Sequence, residues 1–154
     1  MSFAIALHML AAVIWVGGMF FAYVCLRPVA ATLLDPPQRL PLWVHVFGKF
    51  FPYVWICVVT LPLTGYWMIF NRLGGMAGAP MYVHIMNGIG TVMILIYMHV
   101  YFAPFRRLKQ AVADQNWPEG GKKLAQIRML VALNLTLGII TVLVAAGGRY
   151  MAVT

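Results

Sequence analysis

The chain is poor in charge. Only 9% of its 154 residues are charged, and 63% are hydrophobic. A soluble domain of this size is roughly a quarter charged, and most side chains of a small globule touch water. A soluble globule is therefore excluded, and the solvent around much of this protein is lipid. Cysteine is scarce too, with Cys25 and Cys57 the two present. They show no CxxC spacing, one ends an apolar run and the other lies well inside the next, so they read as small buried hydrophobes rather than a disulfide. The first apolar run lacks a basic leader and a small-residue cleavage site, which makes it a retained helix rather than a cleaved signal. No second domain, low-complexity tail or repeat interrupts the pattern.

Long apolar runs remain. A helix needs roughly 20 apolar residues to cross a hydrocarbon core of about 30 Å, and four stretches qualify, at about 3–26, 42–70, 81–105 and 124–148. Backbone amides in lipid must bond within the protein, so these spans are helices. The expected fold is all-α, an integral membrane four-helix bundle forming one domain. The +8 net charge is concentrated in the loop holding Arg106, Arg107, Lys109, Lys122, Lys123 and Arg128. That is a positive-inside signal and not a nucleic-acid signature. It places this loop and the Arg27–Arg39 loop in the cytoplasm and both termini outside, in a bacterial inner membrane. Pro52 and Pro62 predict a kink in the second helix near the sequence LPLTG.

The four histidines carry the chemistry. His8 and His84 fall a few residues into the first and third helices, near one membrane surface; His45 and His99 fall near the other. His84 and His99 are fifteen residues apart, about 60° of rotation and about 22 Å of rise, so they share a face with Asn87, Gly88 and Thr91. On the first helix His8, Trp15 and Gly18 form a similar stripe. Small residues on such stripes admit another helix or a flat cofactor. Paired imidazoles at two depths suit axial ligation of one or two haem b groups, with Arg149 and Arg106 placed for propionates. Copper is the alternative, because thioethers suit Cu(I) and Met9, Met81, Met86 and Met98 lie near histidines. A structural membrane subunit, its histidines merely hydrogen-bonded between helices, is the third reading.

These residues also carry a family resemblance. HMLAAVIWVGGMFF and RLPLWVHVFGKFFPYVW…LPLTGY resemble the first two helices of the copper-resistance protein D (CopD) family, which implies copper passage or tolerance. MYVHIMNG and IYMHVYFAPFRRLK are similar to the third helix of the HemJ-type protoporphyrinogen oxidases, with His8, His84 and His99 at histidine positions. That family is associated with bound haem b. Its pattern has a lysine two residues after the third-helix histidine, where this chain has Met86, so the likeness implies the haem-binding scaffold more than the enzyme. The expectation carried forward is a membrane b-type haem protein moving electrons, linked to a quinol or a redox partner protein, with copper handling as the alternative. Small-residue faces permit a homodimer.

Overall fold

A computed structural model describes residues 2–151. The first rod runs as α1 (Ser2–Phe20), a π-helical stretch (Phe21–Leu26) and α2 (Arg27–Leu33). Pro28 accounts for the π stretch. It has no N–H to give and its ring crowds the carbonyl four residues back, so the turn before it widens instead of breaking. The second rod is α3 (Pro36–Arg72), one helix through Pro41, Pro52 and Pro62. A short 3₁₀ turn (Met76–Gly78) leads to α4 (Met81–Phe102). At Ala103 the backbone leaves the helical region (φ −113°, ψ −85°), as a residue preceding proline tends to do. The rod continues from Pro104 as α5 (Pro104–Ala113), and α6 (Trp117–Met151) follows. Asn116 opens α6 by accepting the Glu119 amide on Oδ1 at 3.3 Å, the usual role of an N-cap. Gln115, at φ 54°, makes the reversal before it.

Successive rods are antiparallel. α1 packs along α3 and α4 along α6, while α6 also touches α1 and α3. The result is an all-α four-helix bundle with four helical stretches long and apolar enough to cross a membrane. The rods are longer than the sequence predicts. α3 alone has 37 residues, about 56 Å at 1.5 Å per residue, against about 30 Å of hydrocarbon. The segments read as loops, Arg27–Arg39 and Arg106–Arg128, are mostly helix: α2, the start of α3, α5 and the first turns of α6. Nearly all the excess lies at one end. It carries nearly all the basic residues and is called the basic end below.

This overhang has its own core. Leu108 and Ile127 are fully buried and Leu40 is 1% exposed, because water outside the bilayer drives apolar burial that lipid does not. Phe105, Leu108 and Ala111 on α5 face inward at helical spacing, while Arg106, Arg107 and Lys109 are exposed. Within the bundle, Trp43, Phe47 and Phe51 stack along α3 with centroids 5.2 and 5.0 Å apart. They meet Phe105, Tyr97 and Tyr101, and Tyr97 donates its hydroxyl to the Phe51 carbonyl at 3.0 Å. Asn134 ties α6 to α4 by donating Nδ2 to the Met93 carbonyl at 3.2 Å.

Candidate functional site

The best-defined polar constellation is built on α1 and α3 at the end opposite the basic one. Thr64 lies two residues after Pro62. Its hydroxyl donates back to the Thr60 carbonyl at 2.7 Å, a bond available to threonine in a helix interior. Thr64 Oγ1 also lies within hydrogen-bond distance of Nδ1 of His8, 2.8 Å away. Gly65 makes the approach feasible, since a Cβ there would stand 3.3 Å from His8 Cε1. When the hydroxyl proton goes to Thr60, the bond to His8 calls for the tautomer with hydrogen on Nδ1, whose Nε2 keeps its lone pair. A histidine oriented in this way through its other nitrogen has the standard arrangement of a metal ligand.

The surroundings at this end suit a soft cation. Antiparallel packing brings the start of α1, the end of α3, the 3₁₀ turn and the start of α4 to one level. Met9, Met68, Met76, Met81 and Met86 therefore lie at the end that holds His8 and His84, Met9 and Met81 with exposed side chains. Thioether and imidazole are the donors Cu(I) prefers. Of the eleven lysines and arginines, only Arg72 and Arg149 belong to this end, so an arriving cation meets little repulsion. Among the described residues no three His, Cys, Asp or Glu side chains form a metal-holding cluster.

The other candidate residues are scattered. His84 is half-buried on α4, whereas His99 and His45 are exposed. His45 Nδ1 bonds the Pro41 carbonyl of its own helix at 2.7 Å. Trp15 is a core residue at 3% exposure, set edge-on to Tyr97 at 6.2 Å. The Phe50 ring occupies the space over Gly18, so that glycine admits a side chain rather than a flat cofactor. Asn87 is half-buried and Gly88 and Thr91 are exposed, which turns this part of the stripe outward. Arg106 is exposed on α5; Arg149 is helical, but its side chain lies outside the described part. Haem b finds no support in the arrangement. Two cavities, of about 220 Å³ at the basic end and about 30 Å³ beside Asn134, have no histidine in their walls, and aromatic side chains fill the interior between the two histidine levels.

Two features escape the sequence reading. LPLTGY shows a bend but not the seat it makes for His8. Asn134, which looks like any polar helix contact, is 4% exposed with Oδ1 buried and unpartnered. It borders the smaller cavity, whose volume suits one water.

Fold and site together define a multi-pass membrane protein with a histidine held ready at one end. Comparison with protein families matches residues 44–147 to Copper resistance protein D, and the chain belongs to that family. The match covers most of α3 and all of α4 and α5, with nearly all of α6. It begins after α1, the helix that carries His8. The likeness to HemJ-type enzymes is not shown, and no curated protein or solved structure matches the chain.

Proposed function

We propose that this protein handles copper in the bacterial inner membrane, taking Cu(I) as cargo at the histidine–methionine end, which faces outward. The seat of His8 carries the proposal. An imidazole with Nδ1 bonded to Thr64 and Nε2 open, placed at a methionine-rich end of a CopD-family bundle, is arranged to receive a soft cation. Intramembrane titratable residues are costly and mark ion pathways by default, which suits cargo movement better than a purely structural role. The outward assignment rests on the segregation of lysine and arginine at the opposite end.

The test is Cu(I) binding by the purified protein in competition with a chromophoric chelator, together with its absorption spectrum after expression with ample haem. Near-stoichiometric Cu(I) binding that is lost in His8→Ala supports the proposal. A colourless protein that binds no Cu(I) refutes it. A Soret band lost in the same variant would replace copper with haem and restore the electron-transfer reading, with its quinol or redox partner.

A further inference from the structure

At the basic end, three rods leave a cleft of about 220 Å³ between the π-helical stretch with α2, the start of α3 and the first turns of α6. Trp43, Phe47, Leu40 and Ile127 form its apolar wall, and Arg27, Arg39 and Arg128 contribute to its lining from three different helices. Arg27 lies over the Tyr23 ring at 4.5 Å and gives Nε to the Tyr23 carbonyl. Arg39 gives one Nη1 hydrogen to the Leu34 carbonyl at 3.3 Å. Both guanidiniums are thus fixed at one side, with further N–H groups left to give.

Among the described residues no carboxylate forms an ion pair with them. The chain has three acidic residues. Glu119 pairs with Lys123 at 3.4 Å, Asp114 accepts from Gln110, and Asp35 makes no described ion pair. Arg27 and Arg39 are half-buried and Arg128 is exposed; like charges lining one apolar cleft repel one another, and a bound anion would relieve that. The cleft sits where the membrane-spanning part gives way to the overhang. Its volume is below the roughly 300–1,000 Å³ of pockets that engulf a whole small molecule. Those dimensions fit a ligand gripped by its head while its tail remains in the bilayer.

We infer that this cleft binds the phosphodiester headgroup of an anionic phospholipid, with Arg27, Arg39 and Arg128 on the phosphate and the first acyl carbons against Trp43 and Phe47. Guanidinium forks match phosphate oxygens geometrically, and basic pockets between membrane helices are suited to anionic headgroups. Ala22 and Tyr23 of the π-helical stretch also line the cleft, and π turns are frequent at functional sites.

The experiment is thermal unfolding of the full chain in a neutral detergent, titrated with short-chain phosphatidylglycerol, short-chain phosphatidylcholine or inorganic phosphate. Phosphatidylglycerol is expected to raise Tm by several degrees and to saturate; phosphatidylcholine and inorganic phosphate should leave it near baseline. Arg27→Gln with Arg128→Gln should abolish the rise, whereas Lys122→Gln with Arg107→Gln should keep it. An equal rise with phosphatidylcholine, or with phosphate alone, overturns the lipid assignment, and an equal loss in the Lys122 and Arg107 control overturns the site. Should the cleft double variant not fold, tryptophan quenching by a phosphatidylglycerol with brominated acyl chains decides on the chain with its arginines intact. Quenching that is diminished in Trp43→Phe supports the site, and quenching unchanged by that substitution overturns it.

Discussion

His8 shows how much can rest on one hydroxyl proton. A Thr64 hydroxyl that gives its proton to Thr60 can only accept from His8, and an imidazole held in that way presents Nε2. Thr64→Val keeps the shape but removes the acceptor, and is expected to weaken Cu(I) binding about 10- to 100-fold, the usual effect of losing a ligand's orienting partner. Thr64→Ser keeps the acceptor and should bind nearly as the parent does. Competition titration of the two variants decides, and equal affinities would mean that Thr64 does not orient His8. Asn134 presents the opposite problem, an acceptor with nothing to accept from. Asn134→Leu removes the orphaned oxygen together with one hydrogen bond, two effects of similar size and opposite sign. Its stability in detergent should stay within about 1 kcal/mol of the parent. Asn134→Asp, which buries an ionisable group without a partner, should cost several kcal/mol. A severe loss in Asn134→Leu would show that Oδ1 holds something the protein needs.

Each rod crosses two solvents, and its side chains respond to each separately. In the overhang the Leu108 side chain is fully buried and is held there by the ordinary hydrophobic effect. Leu108→Ala is expected to cost about 2–5 kcal/mol. Ile56 is 62% exposed on α3 within the apolar run, where lipid tails replace any neighbour it loses. Ile56→Ala should change stability by less than about 0.5 kcal/mol. Chemical unfolding in detergent compares the two, and similar losses would refute the division of the rods into a lipid-solvated and a water-solvated part. The four spans were legible because about 20 apolar residues in a row have few alternatives in lipid. Their extensions were not, because charge made Arg106–Arg128 look like loop. The signal was nonetheless present. Phe105, Leu108 and Ala111 recur at helical spacing between the basic residues, and this periodicity marks an amphipathic helix. Aspartate and asparagine before α3 and α6 mark where each rod starts.

At the scale of the molecule, nearly all the charge lies at one end, and Met9, Met68, Met76, Met81 and Met86 lie at the other. Sequence register alone placed His8 and His84 at one level, since depth follows from counting residues along helices of known span. Which neighbour His8 meets depends on how the rods pack, and that is why Thr64 and Gly65 stayed hidden while the depth did not. The same limit hid the arginine cleft, whose members come from three rods far apart in sequence. The segregation of cations makes a definite statement about orientation. Lysine and arginine next to a span resist translocation, and nine of the eleven lie at or toward the overhanging end; Arg72 and Arg149 make up the remainder. The overhang should therefore lie in the cytoplasm and the histidine–methionine end should face out. In a chain carrying Cys25→Ser and Cys57→Ala, a cysteine replacing the exposed Asn71 should react with a membrane-impermeant maleimide once the outer layer of the cell is made porous. One replacing the exposed Lys122 should react only after the inner membrane is also breached. The reverse pattern would put His8 on the cytoplasmic side. The cargo would then be met from within, and the arginine cleft would face the outer leaflet. The labelling thus fixes which side of the membrane the proposed Cu(I) site at His8 faces, before any transport is measured.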